Sequence, residues 1–220
     1  MTPYPKRGTA MKTTALHQPR SLAKRGASSP RTAFVLSGGA SLSAVQVGML
    51  QALYERGIAP DFLVGTSAGA LNAAFVASRP QVPTTARRLG RIWRDLQRGD
   101  IFPVRMTALA GGVCGRRDHL VPDRGLRRLL GRHIEFEDLV DAPIPLHLVC
   151  FDLVEGRELL LSEGRAVDAV AASASIPGIY PTVAIGERRL IDGGVVNNTP
   201  ISHAAVELVA TRIGWPRDSK

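Results

Sequence analysis

The sequence predicts an α/β fold with a mainly parallel central sheet. Two short apolar runs, residues 32–36 and 61–64, each lead into a glycine-containing turn. Between them, Val45, Met49 and Leu53 recur at helical spacing and indicate a helix with one apolar face. A strand, a helix and a second strand in this order form a β-α-β unit, whose strands lie parallel and are joined by a right-handed crossover.

The turn after the second strand carries the candidate nucleophile. It reads Gly65-Thr66-Ser67-Ala68-Gly69, the G-x-S-x-G pattern of a nucleophile elbow, in which the serine occupies a strained backbone conformation. We expect Gly65 and Gly69 to be glycine because side chains there would collide with the flanking strand and helix. Ser67 begins the helix, where backbone N–H groups favour negative charge.

The turn after the first strand contains Gly38, Gly39 and Ala40. The carboxyl ends of parallel strands meet at one edge of a sheet, so this turn is expected beside Ser67. Two adjacent turns rich in N–H groups form a pocket that stabilises an anion. The turn lacks the G-x-G-x-x-G spacing of a dinucleotide site and has no phosphate-binding lysine, so nucleotide binding is not expected.

The rest of the chain alternates between helices and strands. Near its end, short strands at 182–185 and 189–191 lead to Asp192-Gly193-Gly194, an acid on a glycine turn, and a last helix spans 201–210. The other expected elements are a helix at 84–97, an irregular connector at 98–122, a helix from Asp123 to Leu130 that ends at Gly131, a strand at 146–154 that pairs as a hairpin with 157–162, and a helix at 167–174.

The length and the distribution of charge indicate one domain with a basic N-terminal tail. The 220 residues predict one domain at 32–210, preceded by a disordered basic tail at 1–31 and followed by a short tail at 211–220. The tail at 1–31 carries seven Lys and Arg and no acid, and the net charge of the chain is +9. Such a surface attracts anions, which include nucleic acid and anionic membranes.

Composition excludes several classes of function. No nucleic-acid-binding motif is present and only 5% of residues are aromatic, so nucleic acid is not an expected partner. The two cysteines have no metal-ligand spacing, and no metal is expected. No run reads as a membrane span or a secretory signal. The expected location is cytoplasmic, with possible peripheral contact at a membrane.

Three kinds of base could activate Ser67, since a serine hydroxyl is a weak nucleophile by itself. The first is a triad of Ser67, Asp192 and His203, in the chain order of many hydrolases. The second is His119 or His133 from the middle of the chain. The third is Asp192 alone. Gly193 and Gly194 would let the backbone come close to its carboxylate, and their N–H groups would keep the carboxylate ionised.

Four motifs together resemble the patatin-like phospholipase family. In chain order they are the Gly38-Gly39 turn, the Gly-Thr-Ser-Ala-Gly elbow, Ala174-Ser175-Ile176-Pro177-Gly178, and the segment from Asp192 to Asn198. The resemblance implies a three-layer α/β/α fold and cleavage of lipid acyl esters by a Ser67–Asp192 dyad without a catalytic histidine. It also implies an acyl-enzyme intermediate, no cofactor, and an oxyanion hole built by Gly38, Gly39, Ala40 and Ala68.

The chain departs from the family pattern at two places. The glycine-rich loop of the family reads G-G-G-x-R/K-G, and here Ala40, Leu42 and Ser43 replace its third glycine, basic residue and last glycine. We expect the backbone donors to survive these changes if the loop keeps negative φ at Ala40 and Ser43. After the last helix, a strand-like start at Thr211 ends early, which suggests a C-terminal truncation. These departures leave a non-catalytic lipid- or partner-binding module as the alternative function.

Overall fold

The computed structural model describes residues 31–97 and 119–213. The expected basic tail lies outside the described residues except for Arg31, and so does the connector up to residue 118. The helix and strand bounds below replace the ranges expected from the sequence.

Six strands and six α-helices form the described part of the chain. The strands are β1 Ala33–Leu36, β2 Phe62–Thr66, β3 Leu146–Asp152, β4 Arg157–Leu161, β5 Val183–Ile185 and β6 Arg188–Asp192. The helices are α1 Val45–Glu55, α2 Ala68–Ala77, α3 Pro83–Asp95, α4 Arg124–His133, α5 Ala166–Ser173 and α6 Ile201–Ile213. Short 3-10 helices span Ala40–Ala44, Leu139–Asp141 and Gly193–Val195.

The sheet is open and its centre is parallel, which confirms the predicted α/β class. β1, β2 and β3 lie side by side in parallel, while β4 and β6 pair with β3, and β5 with β6, in the antiparallel sense. Along β3, β2 pairs with 146–149 and β6 pairs with 150–152, while β4 pairs with 148–152. Because a strand has two edges, β2 and β6 share one edge of β3 end to end, and β4 takes the other.

Both faces of the sheet are covered, as expected for three layers. All five residues of β2 are buried, and successive side chains point to opposite faces. Leu63 belongs to the larger core, which includes α2, α4 and α5. Phe62 and Val64 pack in a second core with Ala204 of α6. A continuous apolar strand between two helical layers is typical of parallel sheets.

Two expected helix ends are wrong. α4 does not end at Gly131 but continues to His133, whose carbonyl accepts a hydrogen bond from Arg79 Nη1 at 2.8 Å. A side chain from the turn after α2 therefore satisfies a carbonyl at the end of α4, where the sequence predicted a glycine C-cap. Similarly, α6 continues to Ile213, so residues 211–213 are helical rather than the start of a strand.

Candidate active site

The backbone at Ser67 has the strained geometry of an elbow. Ser67 has φ 55° and ψ −127°, which is unusual for a residue with a side chain. A Cβ on Gly65 would lie 2.8 Å from Ala70 Cα, and one on Gly69 would overlap the carbonyl of Leu36. Side chains on both sides of the serine would therefore collide with their surroundings, as expected.

Strand register brings Asp192 to Ser67 across 125 residues of sequence. Thr66, the last residue of β2, pairs with Val149, and Asp192, the last residue of β6, pairs with the next residue, Cys150. Because β2 and β6 share one edge of β3, their carboxyl ends meet there. Ser67 Oγ donates a hydrogen bond of 2.6 Å to Asp192 Oδ2, and both residues are buried.

The other oxygen of the carboxylate is held by its own turn. Asp192 Oδ1 accepts a 2.7 Å hydrogen bond from the N–H of Gly194. A Cβ on Gly193 would overlap the carbonyl of Val149, so this position excludes a side chain. Burial raises the pKa of Asp192 above its ordinary value of 3.8, while the bonds from Ser67 and Gly194 oppose that rise by stabilising the ionised form.

A buried hydroxyl, that of Ser173, holds the backbone of the elbow against β3. Ser173, at the end of α5, accepts a 3.1 Å hydrogen bond at Oγ from the N–H of Ser67 and donates one of 2.7 Å to the carbonyl of Val149. Its side chain is fully buried. One hydroxyl therefore satisfies two backbone groups and ties the strained serine to β3. This role was not predictable from the sequence, since a serine at the end of an alanine-rich helix matches no motif.

The glycine-rich turn is clamped to the segment after Asp192. Gly38 N–H donates to the carbonyl of Asn198 at 3.0 Å, and Asn198 Nδ2 donates back to the carbonyl of Gly38 at 3.2 Å. A Cβ on Gly38 would overlap Asn198 Oδ1. The N–H of Gly38 is thus engaged in this structure and does not face an oxyanion.

The other expected oxyanion donors have different surroundings. The N–H groups of Gly39, Ala40 and Ala68 hydrogen-bond no other residue in the ranges 31–97 and 119–213. Ala40 has φ 48°, so the condition that its φ stay negative is not met. Ala40 lies in the left-handed region that favours glycine, and its N–H still has no partner among the described residues.

A buried polar network holds the glycine-rich turn after β1 against α2. Asn72 of α2 donates to the carbonyl of Ser43 at 3.0 Å and to Gln46 Oε1 at 2.9 Å, and it accepts from Trp93 Nε1 at 2.8 Å. Gln46 in turn donates to the carbonyl of Ser37 at 2.7 Å. The network fixes both ends of the turn to α2, and the sequence alone did not reveal it because its members are scattered over four elements.

The histidines considered as bases have other partners. His203 Nε2 lies 2.7 Å from Glu158 Oε1, which also accepts a 2.8 Å bond from Asn197 Nδ2. The triad geometry, with a histidine between Asp192 and Ser67, is therefore absent for His203. His133 packs edge-on against Phe75 near Arg79, and burial followed by the neighbouring arginine charges lowers the pKa of His133.

Residues 31–97 and 119–213 contain neither a cluster of metal-ligating side chains nor a helix that could span a membrane. No group of three or more His, Cys, Asp or Glu side chains there is arranged to hold a metal ion. No helix there is long and apolar enough to cross a bilayer.

Comparison with known proteins assigns the chain to a family. The family model for patatin-like phospholipases matches residues 34–205, and the chain belongs to this family. An uncharacterized NTE family protein of Mycobacterium bovis is 33% identical over 167 residues, which are 76% of this chain and 27% of that protein. The lysophospholipase NTE1 of Eremothecium gossypii is 31% identical over 76% of this chain and 10% of its own length.

A solved structure agrees with this placement at the level of the fold. VipD from Legionella pneumophila superimposes with a TM-score of 0.53 at 14% identity, over 78% of this chain and 47% of that one. A second uncharacterized NTE family protein, from Mycobacterium tuberculosis, is 29% identical over 85% of this chain and 49% of its own length. The chain therefore spans between a tenth and a half of the length of the relatives named here.

Proposed function

We propose that this chain is a serine hydrolase that cleaves acyl esters of lipids with Ser67 as nucleophile and Asp192 as base. The observation that carries the proposal is the 2.6 Å hydrogen bond from Ser67 Oγ to Asp192 Oδ2 at the apex of a strained elbow. Membership of the patatin-like phospholipase family and similarity to a protein named lysophospholipase support the substrate class.

The reaction proceeds in two halves. Asp192 accepts the proton of Ser67 as Oγ attacks the acyl carbonyl carbon, which forms a tetrahedral oxyanion. The oxyanion collapses, the ester C–O bond breaks, and Asp192 returns the proton to the departing alcohol. Water then attacks the acyl-enzyme while Asp192 removes a proton from it, and collapse of the second oxyanion releases the fatty acid and restores the Ser67 hydroxyl.

Oxyanion stabilisation falls to a smaller set of donors than the sequence suggested. Gly38 donates to Asn198, so the proposed hole uses the N–H groups of Gly39, Ala40 and Ala68, which have no partner among the described residues. Loss of one donor from such a hole costs about 10²–10³ in rate. The lipid reaches this site from a membrane or micelle, and peripheral contact of the basic protein with an anionic membrane is part of the proposal.

The decisive experiment pairs a reactive probe with hydrolysis of a soluble ester. The unaltered protein should be labelled by a fluorophosphonate and should hydrolyse p-nitrophenyl esters, and Ser67→Ala and Asp192→Asn should each abolish both. His203→Gln serves as the matched control, because the proposed mechanism gives that histidine no part in proton transfer. Hydrolysis that survived in Ser67→Ala, or that vanished only in His203→Gln, would refute the dyad.

The alternative function is a lipid- or partner-binding module without catalysis. The observation that favours it is the alanine at φ 48° in the oxyanion turn, where the family pattern has glycine. Folded protein that binds lipid but leaves Ser67 unlabelled by the fluorophosphonate would support this alternative.

A further inference from the structure

A groove of about 800 Å³ runs between α1 and α3, apart from Ser67 and Asp192. The two helices approach closely there, since a Cβ on Gly90 would lie 3.1 Å from Val47 Cγ1. On the α3 side the groove is lined by Trp93 and by four arginines, which are Arg87, Arg88, Arg91 and Arg94. We call this feature the α1–α3 groove.

The four arginines of the groove are solvent-exposed and have no acidic partner among the described residues. None of them forms an ion pair with another residue in the described ranges. Helix α3 contains one acid, Asp95, at its last position. An exposed guanidinium group that has no carboxylate partner is available to bind phosphate, because its planar fork matches the phosphate oxygens.

An exposed apolar stripe runs from the 3-10 helix Ala40–Ala44 onto the first turns of α1. Leu42, Val45 and Met49 are 79%, 64% and 59% exposed, and their spacing of three and four residues places them along one face. Leu42 N–H donates to the carbonyl of Gly39 at 3.0 Å, so the stripe begins at the proposed oxyanion turn. Adjacent exposed side chains of this size are typical of a surface that contacts lipid or a partner.

We propose that the α1–α3 groove and the Leu42–Val45–Met49 stripe together dock the protein on a bilayer that contains anionic phospholipid. The arginines bind the phosphate groups, and the apolar stripe enters the boundary between headgroups and acyl chains. This inference rests on the proposed lipid hydrolase function, since it brings the turn beside Ser67 to the lipid surface. A nucleic acid or free phosphate would use the arginines and leave the stripe without a role.

The test is vesicle flotation with the full chain carrying Ser67→Ala, so that no lipid is consumed. Vesicles of pure phosphatidylcholine are compared with vesicles that contain an equal part of phosphatidylglycerol. Each basic residue near an anionic surface contributes about a fivefold change in partitioning, so Arg87→Gln with Arg91→Gln should weaken binding to the anionic vesicles by on the order of 30-fold. Leu42→Ser with Met49→Ser should weaken binding to the anionic vesicles about tenfold or more.

The matched control removes the same charge at the same helical spacing elsewhere. Arg124 and Arg128 are exposed on α4 and form no ion pair among the described residues, so Arg124→Gln with Arg128→Gln should leave flotation nearly unchanged. Circular dichroism and thermal midpoints confirm that each variant is folded.

Three results would overturn the proposal. The first is equal loss from the α3 and α4 arginine pairs, which would make binding a general effect of net charge. The second is no loss from the Leu42 and Met49 pair together with competition by inorganic phosphate, which would indicate a soluble-anion site. The third is retention of a DNA duplex that depends on the α3 arginines while flotation does not. Because flotation uses Ser67→Ala, its failure is distinct from failure of fluorophosphonate labelling.

Discussion

Replacement of Ala40 by glycine should stabilise the fold, although most substitutions to glycine do the opposite. Ala40 is exposed and has φ 48°, so its methyl group contributes a backbone penalty and little packing. An L-residue in the left-handed region costs about 1–2 kcal/mol. Glycine removes that penalty but adds about 0.5–1 kcal/mol of chain entropy to the unfolded state. The expected net gain in the free energy of unfolding is about 0.5–1 kcal/mol.

A neighbouring alanine supplies the control. Ala44, in the same 3-10 helix, has φ −60° and gains nothing from glycine, so Ala44→Gly should lower the free energy of unfolding by about 0.5–1 kcal/mol. The unfolded-state term is common to both variants. The difference between them, about 1–2 kcal/mol, therefore isolates the cost of the left-handed alanine.

Urea and thermal denaturation measure both effects. For a domain of this size, 1 kcal/mol moves the thermal midpoint by about 2–4 °C. Ala40→Gly should raise the midpoint and Ala44→Gly should lower it. If Ala40→Gly lowered the midpoint as much as Ala44→Gly does, the reasoning from a left-handed alanine would be refuted.

Four further predictions concern the groups around Ser67. Burial raises the pKa of Asp192, so the acid limb of kcat/KM for a soluble ester should lie above pH 3.8, the ordinary value for this group, and activity should fall as pH drops through it. Because the pKa of Asp192 is raised in the folded state, its ionised form destabilises the fold at neutral pH. Asp192→Asn should therefore raise the free energy of unfolding at neutral pH, and this gain should disappear as the pH falls towards 3.8. An equal gain at every pH would contradict this reasoning. Ser173→Ala leaves two buried backbone groups unpaired at about 1–3 kcal/mol each, which urea denaturation should detect, and a loss below about 1 kcal/mol in total would count against the anchor. Asn198→Ala removes the side-chain bond to Gly38 and should lower kcat about tenfold with little change in KM, whereas a change in KM alone would place Asn198 in substrate binding.

Local steric requirements explain what the sequence could reveal. The elbow was predictable because Gly65 and Gly69 are demanded by contacts within one strand-turn-helix unit. The parallel centre of the sheet followed from the β-α-β order. Asp192 stood out because an acid between a strand and a glycine turn forms a recognisable pattern, and the family resemblance selected it over the histidines.

Long-range contacts explain what the sequence could not reveal. The end of α4 depends on Arg79, more than fifty residues earlier in the chain, so Gly131 misled the prediction. Ser173 and Asn198 act through single hydrogen bonds to backbone groups that only the folded sheet brings within reach. The φ of Ala40 was also unpredictable, because alanine has no local preference for the left-handed region.

The shared edge of β3 has a consequence for the order in which the protein becomes competent. Ser67 is synthesised 125 residues before Asp192, and the carboxylate reaches the serine only when β6 pairs with β3 beyond the end of β2. In the proposed mechanism, a chain that lacks β6 therefore carries a serine without its base. Reactivity towards a fluorophosphonate then reports whether β6 has joined the sheet.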